Sequence, residues 1–259
     1  NTDSDENAAD ITVDSVVPIA EANGAYVCTE GATQALSSAG SNGATSGTAS
    51  IDWDLDNNGA FEIINNASPT FNCIDDGIFP VTVNVTDAVS QSSTDGSTVT
   101  VNNAAPVPNA GGDQTVNEGD LVTITPTWTD AGLNDTHNVT VDWGDGSGVQ
   151  NLGTRVSGFS ANHTYADNYA PATVTITVTD DDSASASDTL DVTVNNVAPI
   201  VTPGSDQTIS EGQVLTILPT FSDAGSADTH NASINWGDGN VDVLGSVTSP
   251  LNVSHTYAN

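Results

Sequence analysis

The side chains best placed for chemistry in this sequence are acidic. Asp52, Asp54, Asp56, Asn58 and Glu62 set oxygen donors at alternating positions around Gly59. Hard divalent cations want several carboxylate and carbonyl oxygens converging from a tight bend, so this stretch is a candidate calcium loop. The match is partial, because the glycine is displaced and no bidentate glutamate stands at the twelfth position. Asp180, Asp181 and Asp182 form a weaker candidate, and Asp75 with Asp76 a third. For each the competing reading is a solvated acidic turn. Calcium is the one cofactor these residues suggest.

Catalysis finds less support. The four histidines, His137, His163, His230 and His255, recur in matched places along the chain, which fits loop or corner structure better than a unique active site. A zinc centre would need clustered His or Cys ligands at short spacing, and no Gly-x-Ser-x-Gly turn exposes a nucleophile. Paired carboxylates carry no information among 34 Asp plus Glu residues. The expectation is a protein that is not an enzyme.

Those 34 acids face a single basic side chain, Arg155, for a net charge of -33 with no lysine. Binding nucleic acid or an anionic bilayer through released counterions has no cationic surface to use. The charge favours solubility and attracts cations, while its self-repulsion opposes a compact state unless salt or divalent ions screen it. A saline or calcium-rich exterior is the natural setting, and an extracellular or cell-surface location is expected. No run of about 18 apolar residues is present to span a membrane. The acidic opening at Asn1 lacks the basic and then apolar pattern of a signal peptide, so the chain reads as mature or as a fragment. Apolar residues at 36% allow a core, though a thin one.

The elements that must position these groups repeat. Glu30-Gly31, Glu118-Gly119 and Glu211-Gly212 recur at separations of 88 and 93 residues, and Trp53, Trp143 and Trp236 at 90 and 93. Asp113-Gln114-Thr115 returns as Asp206-Gln207-Thr208, Asp130-Ala131-Gly132 as Asp223-Ala224-Gly225, and Asp135-Thr136-His137 as Asp228-Thr229-His230. Such a period marks tandem domains of one kind. Within a unit, apolar residues alternate with threonine: Val174, Ile176 and Val178 stand between Thr173, Thr175, Thr177 and Thr179, and Val81, Val83 and Val85 repeat the pattern. That period of two predicts strands with one face in a core. Further strands are expected at Leu121–Thr125, Val139–Trp143, Leu190–Val194, Val214–Leu218 and Ser233–Trp236. Turn clusters such as Asp180-Asp181-Asp182-Ser183 separate strands, and no stretch has helical spacing. The expected fold is all-β, an extended array of antiparallel sandwiches.

Val141-Asp142-Trp143-Gly144-Asp145-Gly146, its copy Ile234-Asn235-Trp236-Gly237-Asp238-Gly239, and the trailing His163-Thr164-Tyr165 and His255-Thr256-Tyr257 resemble PKD-type repeats of Ig-like fold. In the first unit Ile51-Asp52-Trp53-Asp54-Leu55-Asp56-Asn57-Asn58-Gly59 is similar to another variant of that motif, and Phe71-Asn72-Cys73 replaces His-Thr-Tyr. The resemblance implies that Trp53, Trp143 and Trp236 fill the sandwich cores. It also implies that Tyr165 and Tyr257, just before the sixth strand, tie their hydroxyls to backbone. Gly-Asp-Gly then supplies the positive φ needed to leave the tryptophan strand.

The repeats divide the chain into residues 1–17, the last strand of a preceding unit near Asp10–Val13; residues 18–103; residues 104–197; and residues 198–259, a third unit expected to lack its final strands. Thr2–Pro18 aligns with Asp182–Pro199. Either the chain is a slice of a longer repeat protein, or neighbouring subunits exchange strands to close the open sandwich. Cys28 aligns with Val116 and Cys73 with Tyr165, so a disulfide would pin the early edge strand to the entrance of the sixth; two buried thiols are the alternative. Asn66, Asn84, Asn134, Asn138, Asn162, Asn231 and Asn252 begin Asn-x-Ser/Thr sequons, of which a chain this rich in Asn, Ser and Thr yields several by chance.

Two functions follow. One is a non-catalytic structural or adhesive array of an extracellular filament, stalk or surface layer, associating with identical subunits. The other is a carbohydrate-binding or spacer module of a secreted hydrolase with surface glycans as partners. Sugar platforms need exposed rings, and only 5% of the chain is aromatic, with Trp128 alone among the tryptophans off the core position.

Overall fold

A computed structural model describes residues 16–43 and 47–258, all of them strand, turn or irregular chain without a helix. The strand expected near Asp10–Val13 lies outside these residues. The chain gathers into two compact units: one runs through Ala105 and includes Asp130–Asp135, and the other holds Pro106–Thr129 and Thr136 onward.

The first unit contains β1 (Tyr26–Thr29), β2 (Thr33–Ala35), β3 (Thr48–Asp54), β4 (Thr70–Asn72), β5 (Gly77–Asp87) and β6 (Ser92–Asn102). One sheet runs β1-β6-β5-β3, and β2 pairs with β4 to start the facing layer. The alternation read from the sequence places Val81, Val83 and Val85 of β5 in the core with Trp53, Leu36, Phe71 and Val99. Complete burial of one such valine contributes roughly 1.5–3 kcal/mol. Asp87 closes the β5–β6 hairpin by accepting the N–H groups of Val89 and Gln91. The first strand pairs with the last in parallel, Tyr26 opposite Val99 through Thr29 opposite Asn102.

The second unit holds two strand sets. The first comprises β7 (Val107–Asn109), β8 (Gln114–Asn117), β9 (Leu121–Ile124), β10 (Thr127–Thr129), β11 (His137–Asp142), β12 (Val149–Arg155), β13 (Ala161–Thr164), β14 (Tyr169–Asp180) and β15 (Ser185–Asn195). A five-stranded sheet, β12-β11-β14-β15-β8, faces the pairs β13-β9 and β10-β7. Val139, Val141, Val174, Ile176 and Val178 meet Trp143 and Tyr165 between them. Here too the early strand pairs with the last in parallel, Gln114 opposite Val192 through Asn117 opposite Asn195.

The second set is β16 (Ile200–Thr202), β17 (Val214–Ile217), β18 (Thr220–Ser222), β19 (His230–Asn235), β20 (Val241–Val247) and β21 (Val253–Thr256), joined as the pairs β16-β18, β17-β21 and β19-β20. Counterparts of β14 and β15 are not among the described residues. Residues 207–210, which match β8, form no strand. Leu215, Ile217, Phe221, Ala232 and Ile234 are left half-buried where Val122, Ile124, Trp128, Val139 and Val141 are buried. Ile217, Phe221, Ala232 and Ile234 border an open cavity of about 430 Å³ lined also by Pro219, Val247 and Leu251.

Candidate functional site: aromatic corners and acidic loops

The tryptophan motif builds the same corner twice. β11 ends at Asp142, Trp143 points into the core at 1% exposure, and Gly144 and Gly146 turn the chain with φ of 73° and 82°. Across the sandwich β13 delivers His163, whose ring stacks on Trp143 at 4.7 Å and 12°, with Nε2 2.7 Å from Asp145 Oδ2. The Tyr165 hydroxyl donates to the Trp143 carbonyl at 2.9 Å. In the last strand set His255 stacks on Trp236 at 4.7 Å and 13°, reaches Asp238 at 2.8 Å, and Tyr257 donates to the Trp236 carbonyl at 3.1 Å.

The electrostatics follow from this packing. Burial, with Asp145 nearby, pushes the Tyr165 phenol up to about 12. Burial alone would raise Asp145, but hydrogen bonds from Ser147 and the neighbouring His163 hold its carboxyl below the usual value. Asp238 is drawn down to about 2, first by the Asn240 N–H and then by His255. The tyrosine hydroxyl points into backbone, so the set locks a strand turn. The expected corner tyrosines are thus present; the histidine stack is not legible from residue spacing.

In the first unit Trp53 is fully buried, and its Nε1 has no hydrogen-bond partner. Cys73 occupies the tyrosine's place and is joined to Cys28 by a disulfide, with Cα atoms 6.6 Å apart. A covalent tie between β1 and the chain entering β5 stands where the other corners use a hydroxyl.

Of the candidate calcium loop, the structure brings Asp54, Asp56 and Glu62 within ligand reach of one another. Asp54 accepts the N–H groups of Asn58 and Gly59, Asp56 those of Asn58, and Glu62 that of Leu55. The Asn58 side chain accepts from Ala60 N–H. Asp52 is turned elsewhere, to Asn65 N–H and the Ser50 hydroxyl. The Asp180-Asp181-Asp182 turn spreads its side chains: Asp180, 4% exposed, caps the β14–β15 hairpin through Ala184 N–H. Asp181 accepts Thr136 N–H, which holds its carboxyl below the usual range, and Asp182 is exposed. Among the sequons, Asn66, Asn134, Asn162, Asn231 and Asn252 are exposed, while Asn84 on β5 and Asn138 on β11 are half-buried. Trp128, on β10, is 8% exposed against His137 and Phe159, so all four tryptophans are buried.

Glu30 and Glu118, which mark the repeat period, have a second property that residue spacing does not carry. Both are buried carboxylates, 5% and 1% exposed, although each opens a turn that looks solvated from its neighbours Gly31 and Gly119. Their recurrence was the available signal.

Residues 103–194 match the family model of the PKD domain. No curated protein matches the chain. Among solved structures, the tetra-tandem repeat in the extending region of a large adhesion protein is similar at 18% identity and TM-score 0.43, over 88% of this chain and 62% of that one. Extracellular domains 3–5 of Drosophila OTK are similar at 11% identity and TM-score 0.29, over 81% and 76%. Carbohydrate-binding modules of the β-sandwich superfamily are similar at 12% identity and TM-score 0.29, over 93% and 83%.

Proposed function

From a chain built of tandem PKD-type, Ig-like β-sandwich repeats, we propose a non-catalytic structural and adhesive role in an extracellular filament, stalk or surface layer, with strands of one subunit completing the sandwich of the next. The observation that carries this reading is the recurrence of one sandwich plan along the chain, with the same Trp, His and Tyr corner built on Trp143 and again on Trp236. In the last strand set Ile217, Phe221 and Ile234 line an apolar cavity, and β19 keeps an edge at which its counterpart β11 pairs with β14. An uncovered edge of this kind is a template for strand addition. The sugar-platform alternative loses its main requirement, since every Trp, Tyr and Phe ring is buried or half-buried.

The test is electron microscopy and light scattering of the 259-residue chain, alone and with a synthetic hairpin of residues 169–195. End-to-end fibres that shorten when the hairpin is added support strand completion. Monomers at every concentration, or fibres indifferent to the hairpin, overturn it.

A further inference from the structure

The acidic loops gather where one repeat's Glu-Gly turn meets the next repeat's Asp-Ala-Gly loop. In the second unit, Glu118 N–H bonds the Asn195 carbonyl and Gly119 N–H the Tyr165 carbonyl, presenting the turn to residues 223–228. A Cβ on Gly119 would lie 3.2 Å from the Ala224 Cβ. A Cβ on Gly225 would lie 2.7 Å from Asp228 Oδ2 and 2.8 Å from the Glu118 carboxyl carbon, so the two carboxylates converge on one glycine. Asp223, Asp228 and His230 offer ligand atoms within 4.8 Å of one another.

Glu118 supplies the observation that points to a ligand. Its side chain is 1% exposed; Oε1 accepts Val197 N–H, while Oε2 is buried and without a hydrogen-bond partner. Asp223 shows the same division: His230 takes Oδ2, and Oδ1 is buried without a partner in a side chain 5% exposed. Burying an ionised carboxylate is costly unless a cation or donors compensate it. The chain has no lysine, and its one arginine, Arg155, is exposed on β12.

The first unit assembles the same set from its own residues. Glu30 is 5% exposed, Oε2 accepts Ala104 N–H, and Oε1 is buried without a partner. It lies within ligand reach of Asp75 and Asp76 and also of Asp130 and Asp135. Gly31 faces Ala131 as Gly119 faces Ala224. Glu211, with no such loop packed on it among the described residues, is exposed.

We propose that each buried Glu-Gly glutamate, Glu30 and Glu118, is a ligand of a calcium ion held against the Asp-Ala-Gly loop, with Asp130 and Asp135 completing one site and Asp223 and Asp228 the other. The Glu30 set is carboxylate alone, and in the Glu118 set His230 is engaged by Asp223 Oδ2, which leaves carboxylate oxygens as the donors, a set that suits calcium. The inference stands on these clusters and is independent of whether subunits exchange strands.

The test is calorimetric titration of the EGTA-dialysed chain with calcium chloride, paired with thermal melts. The wild-type chain is expected to take up one ion per junction and to melt higher in calcium than in EGTA. E30Q and E118Q are each expected to lose one binding equivalent, and the double variant both. Glutamine keeps the oxygen that accepts the backbone N–H, and D228N provides a second, half-buried probe of the Glu118 site. No binding heat with equal melts in calcium and EGTA overturns the proposal. So does undiminished binding in the double variant, which would place calcium in the Asp54–Glu62 loop instead.

Discussion

At the Trp143 corner the Tyr165 hydroxyl holds the Trp143 carbonyl, and one histidine both covers the indole and bonds the turn's aspartate. Tyr165→Phe keeps the ring and removes the bond, and is expected to cost about 1–3 kcal/mol, measured as a shift in urea midpoint. The pH response has a defined sign. Asp238 has a depressed folded-state value near 2 against an ordinary 3.8, and Asp145 is lowered in the same direction. A depressed carboxylate stabilises the fold fully above its unfolded value, and the contribution is lost as pH falls through the folded one. Tryptophan fluorescence should therefore change as pH drops from about 4 to about 2, and Asp238→Asn should remove the part contributed by Trp236. A flat profile over that window would contradict the assignment.

At the scale of elements, the first repeat exchanges a hydroxyl corner for the Cys28–Cys73 bridge, which closes a loop with a sequence separation of 45. Chain entropy puts its contribution at about 4 kcal/mol. Cys28→Ser with Cys73→Ser, or simple reduction, should lower the unfolding midpoint of the Trp53 repeat and leave the Trp143 repeat unchanged, as read by chemical denaturation. Much of this architecture was legible in sequence, because a period of two over Val81–Val85 and Val174–Val178 admits one answer when threonines fill the other face. Strand ends were less so: the strand expected at Val139–Trp143 runs from His137 to Asp142, because ladder partners on β12 and β14 decide where pairing stops. Within the candidate calcium loop, an extended strand carries Asp52 about 7 Å from Asp54, and there Ser50 and Asn65 take it. The buried state of Glu118 was illegible for a different reason. The groups that bury it stand about a hundred residues further along the chain, and no local window contains both.

For the molecule as a whole, a charge of -33 with one basic side chain sets the response to salt. Raising monovalent salt from about 10 mM to about 150 mM shortens the screening length from about 30 Å to about 8 Å. The melting temperature should rise over that range, and an unchanged value would mean that the carboxylates are already neutralised by bound ions. The parallel pairing of first and last strands, β1 with β6 and β8 with β15, has a mechanical consequence. Tension along the chain draws the two members of each pair in opposite directions along their own axes, so the ladder bonds share the load together and do not open one at a time. In the first repeat the disulfide also withholds from extension about 150 Å of contour, the length of 45 extended residues. A reducing agent would act there as a release for stored length.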